Sequence, residues 1–145
     1  MSKSKESVNE LLVEVFNQIL SIEERWLKER GVKLSMTEVH VLQAIQNTDV
    51  PTMTNVSTKL RVTIGTLTTS ISTLVRKGFV ERKRGEEDKR IVNLKLTESA
   101  LDVLKIHSDF HDQLINNVFK DLKIEEDEVL VKSLERVSEY FKNHY

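Results

Sequence analysis

The chain has 145 residues, of which 39% are hydrophobic and 31% are charged, with a formal net charge of −1 and a single proline. This composition predicts one compact, helix-rich, water-soluble unit, with the alternative that long terminal helices make it a dimer with two sub-regions. Because there is no cysteine, disulfides, cysteine nucleophiles, cysteine–zinc sites and thiol redox sensing are excluded. The apolar runs are too short to cross a bilayer. The polar opening MSKSKESVNE predicts no secretory leader, so a cytoplasmic location is expected.

The first predicted helix covers residues 5–30 and is amphipathic. Its apolar stripe consists of Val8, Leu11, Leu12, Val15, Phe16, Ile19, Leu20, Ile22, Trp26 and Leu27. The stripe is wide for a helix at a chain end, which indicates packing on more than one neighbour, including a second subunit. Gly31 is expected to end this helix.

Two shorter helices follow. Ser35 with Glu38 three residues later forms a capping-box pattern, which predicts a helix over residues 35–47. Pro51 then breaks the chain, and a short helix over residues 55–60 is expected to bury Val56 and Leu60. Residues 61–62 read as the turn that leads to the next helix.

The helix that begins after Thr63 has two contrasting faces. Ile64, Leu67, Ile71, Leu74 and Val75 form its apolar stripe. The other face carries hydroxyls and two cations but no carboxylate: Gly65, Thr66, Thr69, Ser70, Thr73, Arg76 and Lys77. Such a face can lie in a DNA groove without repelling phosphate, and its hydroxyls can bond to base edges. Thr68 lies nearer the stripe and is expected to pack.

A β-hairpin and two long helices complete the chain. Residues 79–84 and 91–96 read as two strands around a polar turn at residues 85–88. An isolated hairpin is marginally stable, so this wing must lean on the helices through Phe79, Val80, Ile91 or Leu94. One helix is expected from Thr97 to about residue 122 and another over residues 124–144.

The net charge hides a strong asymmetry along the chain. The segment from Lys59 to Lys95 carries ten cations and four acids, which makes it +6, so the remainder is −7. A basic middle between acidic ends is typical of a localised phosphate-binding surface. The alternative is an ordinary solvated charged face.

This order of elements resembles the MarR family of bacterial winged-helix regulators. The match lies in the run Leu74–Arg82, in Asp88-Lys89-Arg90 and in Leu94–Thr97. The resemblance implies a mainly α fold with a small β-wing. It also implies a single unit over residues 1–145, with a winged helix-turn-helix over residues 35–97. Residues 5–30 and 98–145 would then form the dimerisation helices of a homodimer.

The helical pattern and the resemblance together give the expected DNA contacts. The first two turns of the helix after Thr63 are best placed to enter the major groove. The preceding helix supplies candidates for phosphate contact, and the wing cations would hold the backbone or reach the minor groove. Asp88 is expected to pair with a wing arginine. The candidates are Thr54, Asn55, Ser57, Lys59, Thr63, Gly65, Thr66, Thr69, Ser70, Thr73, Arg76, Lys77, Arg82, Arg84, Asp88, Lys89 and Arg90.

Part of the chain looks like one branch of this family, the repressors of fatty-acid synthesis genes in Gram-positive bacteria. The similar stretches are Val62–Ser70, Ile22–Glu24 and His107–His111. This likeness implies an acyl chain on acyl carrier protein as corepressor. An apolar pocket for that chain could be lined by Phe16, Ile19, Leu20, Trp26, Phe110 and Leu114, although the same residues also fit ordinary helix packing.

Four residues suggest a metal site instead. His107 and His111 are four apart on one predicted helix, which places both rings on one face. His40 and either Glu23 or Glu24 could complete a zinc site. The branch of the family that represses zinc-uptake genes resembles this chain at Glu24, His40, His107 and His111. The alternative is a hydrogen-bonded core histidine beside a partly exposed pair.

Two other classes of function fit this sequence less well. A winged helix that binds only protein would need neither the basic helix nor the basic wing that this chain has. The sequence shows no glycine-rich phosphate loop and no local arrangement of Ser, His and acid, so an enzyme is not expected.

Overall fold

The computed structural model describes residues 2–145. The chain divides into two compact units, one up to His107 and one from Ser108 to Tyr145. The elements of the first unit are α1 (Lys3–Asn9), a π-helical stretch (Glu10–Val15), α2 (Phe16–Glu29), α3 (Met36–Gln46), α4 (Met53–Leu60), α5 (Ile64–Arg76), β1 (Val80–Arg84) and β2 (Val92–Leu96). The long helix α6 (Glu98–Leu122) begins in this unit, and a 3-10 turn (Ile124–Glu126) and α7 (Glu128–His144) follow it.

The helix boundaries follow from local capping chemistry. Ser35 and Glu38 form the predicted capping box at the start of α3. The hydroxyls of Thr52 and Thr63 accept hydrogen bonds from the backbone N–H groups three residues on, which starts α4 and α5. Gly78 adopts φ +86° just after α5, a conformation that glycine takes without strain and that ends the helix. The Thr63 cap and Gly78 therefore fix where α5 begins and ends.

The core of the first unit lies under α3 and α5. Val39 and Leu42 of α3 are completely buried, and so are Ile71 and Leu74 of α5. The buried residues on each helix recur at helical spacing, so one face of α5 is fixed against the core and the other is left outside. The helix predicted over residues 35–47 is therefore confirmed as α3.

The wing is an antiparallel hairpin whose register runs from Val80↔Leu96 at its base to Arg84↔Val92 near its tip. It leans on the core through Val80 and Leu94, which are buried as predicted. A short bridge between Thr52 and Asn93, with a bond from the Leu94 N–H to the Pro51 carbonyl (2.8 Å), ties the wing to the start of α4. The hairpin is thereby held in place relative to α4 and α5.

Both ends of the chain expose apolar residues at helical spacing. The first unit exposes Val8, Leu11, Leu12, Phe16 and Ile22, and the second exposes Val129, Leu130, Leu134, Val137 and Phe141. Within residues 2–145 no helix combines the length and apolar character required of a membrane span. The predicted fold class, mainly helical with a small wing, is confirmed.

Candidate nucleic-acid interface

One face of α5 is turned away from the core. Leu67, Ile71 and Leu74 hold the buried face, while Gly65 and Thr69 on the opposite side are exposed. Ser72 and Arg76 continue the outward line at the same spacing, and both are exposed. No residue of α5 is acidic, so this outward face presents hydroxyls and one guanidinium to the outside.

The hydroxyls on α5 are already oriented by the helix itself. Thr68 and Thr69 donate to the carbonyls of Ile64 and Gly65, four residues back, at 2.7 and 3.3 Å. Thr73 donates to the Thr69 carbonyl in the same way. A hydroxyl that donates to its own backbone keeps lone pairs that can accept a hydrogen bond. This face is therefore suited to accept bonds from the amino groups of adenine and cytosine.

A groove of about 800 Å³ separates α5 from the wing. Arg82 and Arg90 line it on the wing side, and Ile64 and Thr68 line it on the α5 side. The start of α4, including Thr54 and Asn55, and the wing residues Asp88, Ile91 and Val92 complete the lining. Two cations in one groove beside an outward-facing helix form a surface that fits a phosphate backbone.

The predicted pairing of Asp88 with a wing arginine is present. Arg90 donates from Nη2 and Nε to the two Asp88 oxygens at 2.9 and 3.1 Å, and its backbone N–H also bonds to Asp88. The hydrogen bonds from the Arg90 side chain and backbone hold the pKa of Asp88 below its ordinary value. The Arg90 side chain is still 91% exposed, so its direction is set while its charge remains accessible.

The other wing cations differ in their partners. Arg82 donates to the Ser72 hydroxyl of α5 at 2.9 Å, and Arg84 donates to the Lys89 carbonyl within the hairpin. Lys89 is exposed near the tip. The wing therefore presents its positive charge both toward α5 and at its free end.

Lys77 was predicted to contact DNA, but the structure places it in an ion pair. Its ammonium donates to both oxygens of Glu38 on α3, at 2.9 and 3.2 Å. Burial raises the pKa of Glu38, but the bonds from Lys77 and Ser35 outweigh burial, and the pKa lies below its ordinary value of 4.5. This pair directs the Lys77 ammonium toward α3, but the side chain remains 36% exposed, so its DNA contact stays a prediction.

Replacing Glu38 by glutamine tests this ion pair. Glutamine can keep the capping box, so the change removes only the charge. A carboxyl whose pKa is lowered in the folded state stabilises the protein above its unfolded pKa and stops doing so as pH falls through the folded pKa. We expect Glu38→Gln to lower the free energy of unfolding by about 1 kcal/mol at pH 7. In urea denaturation, equal stability of both proteins at pH 7 would contradict the pair, and the difference should disappear as the pH falls through the folded-state pKa of Glu38.

The structure agrees with only some of the phosphate contacts predicted on α4. Ser57 is 4% exposed and its hydroxyl donates to the Thr54 carbonyl at 2.8 Å, so the predicted phosphate contact at Ser57 is wrong. Thr54, Asn55 and Lys59 are exposed. The side-chain amide of Asn55 also bonds to the Val50 carbonyl. The helical period that buries Val56 carries its neighbour Ser57 partly inward, and the bond to Thr54 satisfies its hydroxyl.

The predicted faces of α5 also need correction. Ile64 was placed in the apolar stripe, yet it is 49% exposed, and Thr68, which was expected to pack, is exposed with it in the groove. Ser72 was missed, although counting helical turns from Leu67, Ile71 and Leu74 puts it on the outward side. The flank toward α3 carries Thr66, exposed, and Ser70 and Thr73, both half-buried.

The carboxylate beside the predicted metal-binding histidines is Glu23. Glu23 is buried, contacts His107 directly and lies 4.0 Å from His40. Glu24 is exposed on the neighbouring position of the helix, which corrects the choice of Glu24 as a ligand. The sequence contains a signal that favours Glu23 over Glu24, because Glu23 falls in the apolar stripe between Leu20 and Leu27. His111, one turn beyond His107, has its ring edge-to-face with Phe110.

The predicted effector residues differ in exposure. Phe16 is 56% exposed, and Ile19, Leu20 and Trp26 of the same helix are half-buried. In the second unit Phe110 is buried and Leu114 is half-buried. The pocket proposed for an acyl chain stays a prediction.

The chain is similar to several known regulators. It is 34% identical over 106 residues to the HTH-type transcriptional regulator SarZ of Staphylococcus haemolyticus, which covers 72% of this chain and 69% of that protein. It is 28% identical to the transcriptional regulator ZitR of Lactococcus lactis, over 79% of this chain and 80% of that protein. Among solved structures it resembles Streptococcus pneumoniae FabT in complex with DNA, with a TM-score of 0.85, 34% identity, and coverage of 97% of this chain and 99% of that one.

A profile of the MarR family matches residues 34–92. The chain belongs to the MarR family. The matched residues contain α3, α4, α5 and all but the last strand of the wing, which are the elements that form the interface described above. These relatives are transcriptional regulators. The expected family is confirmed, and this MarR-family chain is a winged-helix transcriptional regulator.

Proposed function

We propose that the protein is a homodimeric repressor that inserts α5 into the DNA major groove and holds the flanking backbone with its wing. The observation that carries this proposal is the outward face of α5, which has no carboxylate and borders a groove lined by Arg82 and Arg90. Phosphate contacts by these guanidiniums would give affinity and register. A regulator that acts on chromosomal DNA works in the cytoplasm, so we also propose that location.

Sequence discrimination in this proposal is shared between bases and DNA shape. Gly65, Thr66 and Thr69 stand in the first two turns of α5, where a recognition helix contacts base edges. Their short side chains let the helix approach closely, but they make few bidentate contacts. Part of the specificity is therefore expected to come from groove width and deformability at base pairs that no side chain touches.

A salt titration with Arg90→Ala tests the binding surface. Each phosphate contact releases condensed counterions, so losing one is expected to reduce the slope of log K against log salt by about one unit. The operator can be taken from genomic fragments that the wild-type protein retains, and affinity measured by gel shift. Arg25→Ala, at an exposed cation on α2, is the matched control and should leave the slope unchanged. An unchanged slope in Arg90→Ala would remove this residue from the interface.

The homodimer is supported by apolar surface that is left uncovered in a single chain. Leu130, Leu134, Val137 and Phe141 form one stripe along α7, and α1 with the π-helical stretch exposes further apolar residues. Stripes of this kind bury themselves against a second copy in symmetric dimers. Two recognition helices in one dimer would read two half-sites about one helical turn of DNA apart.

For the regulated genes we propose fatty-acid synthesis, with an acyl chain on acyl carrier protein as corepressor. The support is the likeness of Val62–Ser70 to the recognition helix of that branch. Sequencing the genomic fragments that the protein retains should show enrichment upstream of lipid-synthesis genes. Gel shifts should tighten with acylated carrier protein and not with the unacylated form. Enrichment upstream of metal-transport genes would favour the second candidate.

The second candidate is a zinc-responsive repressor of metal-uptake genes. It is favoured by the contact of buried Glu23 with His107 and by the approach of His40 to the same carboxylate. These groups are ligands that zinc accepts. Titration calorimetry of metal-free protein with zinc should then show binding that His107→Ala removes and that His144→Ala, at an exposed histidine of α7, retains. No heat and no thermal shift would end this candidate.

A further inference from the structure

The Arg82 side chain of the wing is hydrogen-bonded to Ser72 of the recognition helix α5. Its Nη2 donates to the Ser72 hydroxyl at 2.9 Å, which joins β1 to α5 between residues ten apart in sequence. Both residues are exposed. By contrast, Arg90 and Arg84 make their bonds within the wing itself. The bond at Ser72 is therefore a direct side-chain link between the wing and the recognition helix.

The two partners stand on the surface that faces the groove. Ser72 continues the outward line of Gly65 and Thr69 on α5, and Arg82 lines the groove together with Thr68. A DNA strand that leaves the recognition helix on its way to the wing would have to pass this point. The guanidinium at this point would therefore meet the phosphate that joins the two contacts.

The hydroxyl of Ser72 suits Arg82 for binding a phosphate. A guanidinium has five N–H donors, and a single bond to Ser72 leaves the others available for a phosphate oxygen. Ser72 is neutral, so it directs Arg82 without offsetting its charge, whereas Asp88 directs Arg90 with an opposite charge. A long side chain held in advance loses less rotamer entropy when DNA binds.

We propose that Ser72 is a positioning residue, whose hydroxyl holds the Arg82 guanidinium over the groove so that it receives one phosphate of bound DNA. This inference rests on the proposed function, since it names how one residue serves the same DNA surface. It assigns to Ser72 a role through Arg82 and not a contact with a base.

The test compares Ser72→Ala, Ser72→Thr, Arg82→Ala and the double variant Ser72→Ala/Arg82→Ala. The probe is the tightest duplex that the wild-type chain selects from a random-sequence pool. Ser72→Ala is expected to weaken binding about 3–10-fold with an unchanged salt slope, because Arg82 keeps its charge. Ser72→Thr, which restores a hydroxyl, should bind like wild type. Arg82→Ala should weaken binding further and reduce the slope by about one unit.

The double variant separates positioning from direct contact. If Ser72 acts through Arg82, adding Ser72→Ala to Arg82→Ala should change affinity less than twofold. A full 3–10-fold loss in that background would show that Ser72 acts by itself and would overturn the inference. Duplexes with single methylphosphonates, which remove one phosphate charge each, give a local readout. One position should weaken wild-type binding strongly, Ser72→Ala binding less, and Arg82→Ala binding not at all.

The outcomes also separate this inference from the proposed function. If the wild type binds its duplex with steep salt dependence but Ser72→Ala binds equally well, only the positioning role fails. If the wild type shows no salt-dependent DNA binding, the proposed function fails and this inference fails with it. Thermal unfolding should show all four variants folded, because the substituted side chains are exposed.

Discussion

Replacing Thr69 by glutamate is expected to abolish specific DNA binding while the protein remains folded. Thr69 lies at the centre of the outward face of α5, opposite the buried Leu67 and Ile71. A carboxylate at this point would be brought among phosphates and base edges in both halves of a dimer. Like-charge juxtaposition in an interface costs several kcal/mol, so we expect an affinity loss of more than about 100-fold.

The control for this variant adds the same charge elsewhere. The control variant is Ser99→Glu. Ser99 lies in the first turn of α6, close to Leu96 at the base of the wing and far along the hairpin from its tip. An acid at a helix N-terminus is well tolerated. Gel shifts should show Ser99→Glu binding like wild type, and both variants should unfold within about 3 °C of wild type, as surface changes do. Tight binding by Thr69→Glu would mean that α5 does not enter the groove.

Replacing Leu134 by glutamate is expected to convert the proposed homodimer into a monomer. Leu134 lies in the exposed stripe of α7 between Leu130 and Val137, and it is 46% exposed in the single chain. A charge buried without a partner at the centre of an apolar interface is strongly unfavourable. Sedimentation equilibrium at micromolar concentration should give 16.8 kDa for the variant and twice that mass for wild type.

Loss of the dimer should also weaken DNA binding. In a dimer, binding of one recognition helix raises the effective concentration of the second helix at its own half-site. A monomer lacks this effect, so we expect its affinity for the operator to be about 100-fold lower or more. Lys132→Glu, on the exposed polar side of α7, is the matched control and should remain dimeric. If Leu134→Glu stays a dimer, the stripe of α7 is not the interface.

Local sequence chemistry specified most of the secondary structure correctly. The capping box of Ser35 and Glu38, the Thr63 cap and Gly78 each act over a few residues, so their effect can be read without knowing the fold. The period of the buried residues in α3 and α5 is equally local. One exception is the first helix, where a π-helical stretch over Glu10–Val15 interrupts the predicted continuous α-helix.

What the sequence by itself determined was the order of the elements, the charge asymmetry and the polar face of α5, because these depend on propensity and period. Only the tertiary structure decided which polar groups meet. Lys77 pairs with Glu38 from 39 residues away, and Arg82 reaches Ser72 across from the wing. The apolar stripe of α2 includes the position of Glu23 and not that of Glu24, but only the docking of separate helices brought Glu23 to His107. Such pairings depend on how separate elements dock, which local patterns do not encode.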